Sequence, residues 1–315
     1  MKTLLIIDGH SIMHRAFYAI PPLTTASGTP TNAIFGFFSM LQKATSEFKP
    51  EYVIVCFDTP VKTFRKELYE KYQAHRPKAQ DGFIIQIPLI KDLLDKAGVF
   101  RIEKPGFEAD DVIGTLSHQF GTSDTRVIIL SSDRDILQLV NDHVFVVVPK
   151  VGISSTVLYD RNAVIEKFGL PPEKIPDLKG LMGDASDNIP GAKGIGPKTA
   201  AKLLQEYGSV ENLLAELPKM SENNTKLLLV KHEELITLSK KLATIITDLP
   251  LEIEQEQTAF QGFQEGMKQS LEDLEIHALI PRLFYGENTK PVEKPSQEKK
   301  KKEEKKTDED QMDLF

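Results

Sequence analysis

The sequence predicts an α/β protein with a mostly parallel central sheet, helices on both faces of that sheet, and a helical subdomain behind it. Three observations support this fold. Apolar, β-branched runs alternate with amphipathic segments up to about residue 160, the strand signal then fades, and the chain ends in a charged stretch. Near-continuous apolar strands joined by helical crossovers are typical of a parallel sheet that is buried on both faces.

The predicted α/β domain covers residues 1–160. Its strands are Leu4–Ile7, Tyr52–Phe57, Val99–Ile102, Arg126–Leu130 and Val144–Val148, with a short edge strand at Ser155–Leu158. The amphipathic segments between them predict helices at Ala33–Phe48, Ile84–Lys96 and Asp110–Phe120.

Residues 161–286 predict the helical subdomain, with helices at Asn162–Phe168, Ile175–Leu181, Lys198–Tyr207 and Asn223–Leu242. Residues 287–310 are polar and rich in Lys, Glu and Asp, so we expect a disordered linker that cannot bury enough surface to fold. The last five residues, 311–315, break this pattern with three apolar side chains.

Composition restricts the possible classes of protein. The 315 residues are 40% hydrophobic, which is enough for a sizeable core, and Cys56 is the single cysteine. No apolar run approaches the length of a membrane span, and the amino-terminal apolar stretch is too short for a signal peptide. We therefore expect a cytoplasmic monomer with no membrane partner. The net charge of −7 argues against a simple basic nucleic-acid binder, unless the acidic residues form a metal site and the basic residues lie elsewhere.

Acidic residues follow four successive predicted strands. The set comprises Asp8, Asp58, Glu108, Asp110, Asp111, Asp133 and Asp135. An acidic residue at a helix N-terminus is by itself an ordinary cap. The carboxyl ends of parallel strands, however, meet at one edge of the sheet, where open α/β folds place their sites.

Electrostatics limits what these acids can do there. Two carboxylates 4 Å apart repel each other by about 4 kcal/mol at an effective dielectric of 20. The acids are therefore either dispersed or neutralised by cations, and an all-carboxylate set suits Mg²⁺ or Mn²⁺ rather than structural zinc. Asp184 and Asp187, three residues apart, predict a second ion position on one face of a helical turn. Two-metal sites hydrolyse phosphodiesters.

Two further segments favour nucleic acid. The glycine-spaced stretch Gly191–Ala200 predicts a hairpin between helices that grips DNA phosphates, or alternatively a plain tight turn. Its candidate DNA-binding residues are Gly191, Lys193, Gly194, Gly196, Lys198 and Thr199. The segment Phe64–Lys78 interleaves basic and aromatic side chains, as in single-strand binding surfaces, although a solvated helix face would have the same pattern. Its candidates are Arg65, Lys71, Tyr72, Arg76 and Lys78.

Four strings in this chain resemble a known family, the 5′ nucleases, which occur at the N-terminus of bacterial DNA polymerase I and as free-standing enzymes. The strings are "IIDGHSIMHRAFYA", "FEADDVIGTL", "SSDRDILQLV" and "LMGDASDNIPGAKGIGPKTA", and the similarity covers residues 1–285. The resemblance implies a structure-specific nuclease acting at 5′ flaps, nicks and 5′ ends of DNA or of an RNA primer on DNA. Because the chain ends where a fused polymerase would begin, we expect the nuclease alone.

The resemblance also implies roles for particular residues. It places two Mg²⁺ or Mn²⁺ ions among all nine acids named above, and a helical arch at Phe64–Ile90 through which a 5′ flap passes. It implies a helix-hairpin-helix element with a bound K⁺ at Gly191–Thr199. Arg15 and Arg76 match positions that hold the scissile phosphate, and Tyr72 matches an aromatic residue of the arch.

Gln73 departs from the family pattern, which usually has Lys directly after this Tyr. A flap-binding protein that cuts poorly is therefore an alternative to an active nuclease. A phosphatase would need an Asp-x-Asp pair at the first strand, where only Asp8 is present. A related ribonuclease would leave the glycine hairpin unexplained.

The last residues resemble a peptide that binds the bacterial sliding clamp, with Gln first, two variable positions, and then Leu-Phe. Gln311, Leu314 and Phe315 occupy those positions. We therefore expect the clamp to be a partner.

Overall fold

The structure, a computed structural model, describes residues 1–150 and 155–286. Its central sheet has the order β3-β2-β1-β4-β5-β6. The strands are β1 Lys2–Asp8, β2 Tyr52–Phe57, β3 Phe100–Glu103, β4 Thr125–Leu130, β5 Val144–Pro149 and β6 Thr156–Tyr159. The first five strands are parallel and β6 pairs antiparallel with β5. The predicted sheet is confirmed, with strand ends displaced by one or two residues.

Helices cover both faces of this sheet, as predicted. They are α1 Gly9–Ala19, α2 Asn32–Phe48, α3 Phe64–Leu68, α4 Asp81–Ile84, α5 Gln86–Lys96 and α6 Ala109–Phe120. Alternate residues of β1 face opposite layers: Leu5 packs with Phe37 of α2, whereas Leu4 packs with Leu116 of α6. Both faces are dry, which explains why the strands are apolar without alternation.

The arch segment, residues 64–90, contains less helix than predicted. Only α3, α4 and the start of α5 are helical, and residues 69–80 form turns and irregular chain. Gln73 has a positive φ of 53°, and its backbone N–H donates to the Asp187 carbonyl oxygen at 2.9 Å. Pro77 disfavours helix at the residue before it. These features interrupt the helix and tie the segment to the helical part of the chain.

The helical part is built from α7 Arg161–Phe168, α8 Ile175–Met182, α9 Pro197–Tyr207, α10 Val210–Glu216, α11 Asn224–Lys231 and α12 Glu233–Ala243. Its own core includes Leu181, Leu203 and Ile236. The predicted single helix Asn223–Leu242 is wrong, because His232 leaves the helical conformation at φ −116° and separates α11 from α12.

After α12 the chain returns to the sheet. Ile245 and Leu249 pack with the cluster under α6. Farther on, Met267 and Leu271 join the cluster under α2 and α5, close to α13 Lys268–Asp273 and α14 Ile280–Phe284. Within the predicted subdomain 161–286, the apolar residues beyond Thr244 therefore pack on the sheet and not in the core of the helical part.

No helix in the described part of the chain is long and apolar enough to cross a membrane. The predicted linker 287–310 and the predicted clamp-binding residues Gln311, Leu314 and Phe315 lie outside the described residues.

Candidate active site

Most of the predicted acids meet in one cleft of about 1330 Å³ at the carboxyl edge of the sheet. They meet there because β2, β1 and β4 are neighbours and run in the same direction. The predicted acids that line the cleft are Asp8, Asp58, Glu108, Asp110, Asp133, Asp135 and Asp187, whereas Asp184 is not among its lining residues. Residues of α1 and of the arch segment complete the lining, including Arg15, Tyr72, Gln73, Arg76 and Lys78.

Asp8 lies at the bottom of this cleft, at the end of β1, and is only 4% exposed. Its Oδ1 accepts from the Ser11 backbone N–H at 3.0 Å, and its Oδ2 accepts from the Ser131 hydroxyl at 2.7 Å. Burial and the nearby charge of Asp58 raise the pKa of Asp8 to about 7, although the hydrogen bond from Ser131 opposes the shift. The carboxylate is therefore fixed in place without being electrostatically neutralised.

Asp58 and Asp110 extend the acidic surface from β2 to α6. Asp58 Oδ1 accepts from the Ala109 backbone N–H at 2.8 Å, so Asp58 also fixes the start of the helix that carries Asp110. Burial raises the pKa of Asp110 well above its usual range, and the charges of Asp133, Asp8, Asp58 and Glu108 add to the shift. The acids from the successive strand ends thus repel one another across the cleft.

Asp133 and Asp135 follow β4 and continue the surface toward the helical subdomain. Asp133 Oδ1 accepts from the Asp135 backbone N–H at 2.8 Å. Burial and the charge of Asp133 raise the pKa of Asp135 to about 7, although the Lys179 ammonium beside it lowers the value.

Asp184 and Asp187 lie in the turn after α8 rather than on a helix, and each is paired with a protein cation. Lys179 pairs with both Asp135 and Asp184. Burial would raise the pKa of Asp184, but the charge and hydrogen bond of Lys179 outweigh it, so the pKa is lowered. Asp187 pairs with Arg76.

Two predicted functional residues have a different role in the structure. Asp111 is fully buried and does not line the cleft. Its carboxylate receives two hydrogen bonds from Arg65, which is itself only 2% exposed. Asp111 and Arg65 are buried against each other at the border of the cleft, which argues against Asp111 as a metal ligand and against Arg65 as a DNA contact.

Tyr72 is also buried, at 3% exposure, so its ring is not available to stack on a base. Its hydroxyl instead lies 3.2 Å from Glu108 Oε2 and 3.4 Å from Asp187 Oδ2. Gln73 reaches the same place, and its side-chain amide donates to Asp187 Oδ1 at 3.3 Å. Lys71 and Lys78 are exposed, in agreement with a contact surface.

The glycine hairpin connects α8 to α9, as predicted. The predicted DNA-binding residues Lys193, Gly194, Gly196, Lys198 and Thr199 are exposed. Gly191 is buried and donates its N–H to Ser239 Oγ at 2.9 Å, which argues against its predicted DNA contact. A side chain at this position would meet the Gly183 backbone nitrogen at 2.2 Å, which explains the glycine by chain packing.

The donor set fits hard divalent cations. Within the described residues, no three His, Cys, Asp or Glu side chains converge as a ready-made metal cage. Mg²⁺ usually keeps several waters and needs only one or two direct carboxylates, so acids that stand apart around a cleft suit it. The hydroxyls of Thr59 and Ser132 in the cleft wall are buried and have no hydrogen-bond partner among the described residues. Such hydroxyls are expected where hydrating water completes a site.

Family models decide what kind of protein carries this site. Residues 3–169 match the 5′-3′ exonuclease N-terminal resolvase-like domain, and residues 170–266 match the 5′-3′ exonuclease C-terminal SAM fold. The chain belongs to the 5′-3′ exonuclease family. It is a nuclease enzyme, as the resemblance predicted.

Curated relatives agree with this assignment. A 5′-3′ exonuclease of Aquifex aeolicus is 43% identical over 281 residues, which is 89% of this chain and 94% of the relative. DNA polymerase I of Bacillus subtilis is 40% identical over 294 residues, which is 93% of this chain but only 33% of the polymerase. The chain thus spans about a third of the polymerases and nearly the whole of the exonuclease.

Solved structures support the fold. A bacteriophage T5 flap endonuclease in complex with DNA and metal ions has a TM-score of 0.64 at 22% identity, covering 77% of this chain and 89% of that one. The catalytic core of Rad2 with a DNA substrate has a TM-score of 0.55 at 17% identity, covering 89% and 92%.

Several side chains important for the site were missed by sequence reasoning. Ser11 and Ser131 hold Asp8, Lys179 pairs with Asp135 and Asp184, and Thr63 donates to Glu108 Oε1 at 3.1 Å. The position of Ser131 directly after β4 was a usable signal. The sequence contained no such signal for Lys179, because a single lysine on an amphipathic helix is normally expected to face solvent.

Proposed function

We propose that this nuclease hydrolyses phosphodiester bonds at 5′ flaps, nicks and 5′ ends of DNA, including RNA-primer ends, with two divalent cations. The observation that carries the proposal is the row of buried, mutually repelling carboxylates from successive strand ends in a cleft bounded by a basic segment. Repulsion of this kind disfavours an unliganded state and favours cations.

The proposed cations, Mg²⁺ or Mn²⁺, would be held by Asp8, Asp58, Glu108, Asp110 and Asp133 on the sheet side, and by Asp135, Asp184 and Asp187 on the helical side. When bound, such ions lower the pKa of water and stabilise negative charge on phosphoryl oxygens. Arg15 and Arg76 face the same cleft and would hold the scissile phosphate as cationic hydrogen-bond donors.

The decisive experiment is cleavage of a 5′-labelled flap duplex in Mg²⁺, in Mn²⁺ and in chelator. We expect product with either metal and none in chelator. A covalently closed circular duplex, which has neither a flap, a nick nor a 5′ end, is the control for structure specificity. Cleavage that continues in chelator would overturn the metal assignment, and equal cutting of the closed circle would overturn the substrate assignment.

A flap-binding protein with weak cleavage is the second candidate, and Gln73 is the observation that favours it. Gln73 points at Asp187, so the positive charge that the family pattern has at this position is missing beside the acids. Single-turnover kinetics separates the candidates: tight flap binding without cleavage in Mg²⁺ would select the binding protein.

The hairpin between α8 and α9 is the proposed grip on duplex DNA. Lys193 and Lys198 are exposed beside exposed glycine backbone, an arrangement that lets amides and ammonium groups approach phosphates. A K⁺ ion bound by hairpin carbonyls would complete this grip. Flap affinity measured in KCl and in tetramethylammonium chloride at equal ionic strength tests the ion, because only KCl supplies K⁺. Equal affinities would remove it.

We also propose that Gln311, Leu314 and Phe315 bind a bacterial sliding clamp. The 24 residues of the linker 287–310 would span about 25–30 Å as a flexible coil, and tethering raises the local concentration of nuclease at clamp-encircled DNA. In a calorimetric titration, the clamp should bind the full chain but not a chain that ends at Asp310. Equal binding by both, or by neither, would remove this partner.

A further inference from the structure

Arg65 occupies an unusual position for a basic residue in a DNA-processing segment. It lies in α3 at the beginning of the arch segment, and the residue is only 2% exposed. Burial of a guanidinium is tolerated only where its hydrogen bonds are satisfied.

All five N–H donors of Arg65 have acceptors. Nε donates to the Leu242 carbonyl oxygen at 2.8 Å, and Nη2 donates to the Thr244 carbonyl oxygen at 2.9 Å. Nη1 and Nη2 donate to the two Asp111 oxygens at 2.6 and 2.8 Å, and Nη1 also donates to Glu108 Oε2 at 3.3 Å. A guanidinium has five such donors, so none remains for a phosphate.

These acceptors belong to two regions that are far apart in sequence. Glu108 and Asp111 open α6, whereas Leu242 and Thr244 lie where the chain leaves α12 and returns to the sheet. Asp111 strengthens the connection, because its Oδ1 also accepts from the Ile246 backbone N–H at 3.0 Å. Arg65 therefore joins the start of the arch segment, the start of α6 and the exit of the helical subdomain.

Of these acceptors, Glu108 is the one whose carboxylate lines the cleft. Three side chains contact that carboxylate: Thr63 at 3.1 Å, Arg65 at 3.3 Å and Tyr72 at 3.2 Å. All three come from the stretch 63–72, whereas the capping box at the start of α6 adds the Asp111 backbone N–H. Every side-chain contact that orients this acid thus comes from the first part of the arch segment.

We infer that Arg65 is a positioning residue that aligns Glu108 and fixes the arch segment and the helical subdomain to α6, rather than a DNA contact. The inference rests on the proposed function for the role of Glu108. A lysine could keep the charge, but its point-like ammonium cannot reproduce the planar fork that serves two carbonyls and two carboxylates together.

The test compares Arg65→Lys with Arg101→Gln, which removes an arginine from an exposed pair with Asp95. Flap affinity, its salt dependence and the saturating single-turnover rate are measured for each. We expect Arg65→Lys to lose about 10–100-fold in rate, the range for residues that orient a metal ligand, with unchanged affinity and salt slope. Arg101→Gln should match the wild type. The opposite result for Arg65→Lys would be weaker flap binding, a salt dependence of that binding with a slope lower by about one, and an unchanged cleavage rate. That result would identify Arg65 as a phosphate contact.

A double-mutant cycle tests whether the effect passes through Glu108. The double variant Glu108→Gln/Arg65→Lys should cleave no more slowly than Glu108→Gln alone. If its loss of rate equals the two single losses combined, the inference is overturned. Asp111→Asn, which keeps the shape of the side chain, provides a second variant if Arg65→Lys folds poorly, and it should show the same rate loss at unchanged affinity.

Mg²⁺ affinity from calorimetry separates this inference from the proposed function. If the wild type does not cut flaps, the proposed function fails. The positioning role still predicts weaker Mg²⁺ binding by Arg65→Lys than by Arg101→Gln, and equal Mg²⁺ binding would overturn it.

Discussion

The two halves of the acidic cleft are neutralised in different ways. On the sheet side, burial and neighbouring carboxylates raise the pKa values of Asp8 and Asp110. On the helical side, Lys179 and Arg76 pair with Asp184 and Asp187. The pKa of Asp184 is lowered despite burial, whereas the pKa of Asp135, which shares Lys179, is still raised to about 7. Asp184 and Asp187 thus have built-in cations, whereas Asp8 and Asp110 depend on added ones. We therefore expect the sheet half to bind the first divalent ion, and the helical half to bind one only in competition with Lys179.

The largest expected effect is on the sheet half. Asp110→Asn should lower the single-turnover cleavage rate by at least about 1000-fold, since metal ions supply several kcal/mol of transition-state stabilisation. Flap affinity should persist, because the proposed phosphate grip lies elsewhere. The control is Asp92→Asn, an exposed acid on α5. Undiminished cutting by Asp110→Asn would contradict the metal assignment.

Substitution of Lys179 in the helical half should change the thermal stability of the protein more than its cleavage rate. Lys179→Met leaves Asp135 and Asp184 without their shared cation. For a mostly buried ion pair, this should lower the free energy of unfolding by about 3 kcal/mol. In chelator we expect Tm to fall by about 5 °C, and Mg²⁺ should restore most of the difference. Lys219→Met removes an exposed pair with Glu216 and should change little. An unchanged Tm for Lys179→Met would show that Lys179 does not neutralise these acids.

Gln73 belongs to the arch segment and contacts Asp187 of the helical half, so its substitution should sharpen the comparison. Gln73→Lys places a second cation near Asp187 and near the reacting phosphate. We expect the single-turnover rate to rise about 10-fold, within the range for one well-placed charge-stabilising group. Gln73→Met, which is close in size and uncharged, is the control. No increase with Lys would mean that a neighbouring cation already fills this role.

The smallest effects should come from the hairpin, which lies outside both halves. Lys193→Ala and Lys198→Ala should each weaken flap binding by a few fold and reduce the salt slope by about one. The saturating cleavage rate should stay the same. A changed saturating rate would place these residues in the chemistry rather than in the grip.

The sheet-side acids were predictable because their cause is local and periodic. Each follows an apolar strand, and parallel strands bring their carboxyl ends together, so Asp8, Asp58 and Asp110 could be placed from the sequence. Partnerships between distant residues could not be. Arg65 and Asp111 are 46 residues apart in sequence, and either looks like a functional residue until its partner is seen to bury it. Lys179 and Gly191 show the same limit, because their roles depend on packing rather than on pattern.

The order in which the two halves bind divalent ions is tested most directly by anomalous diffraction from crystals soaked in increasing concentrations of Mn²⁺. The account predicts that the first peak appears among Asp8, Asp110 and Asp133. A second peak should follow beside Asp184 only at higher Mn²⁺, with the Lys179 side chain moved away. A first peak beside Asp184, or no peak on the sheet side at any concentration, would contradict the account.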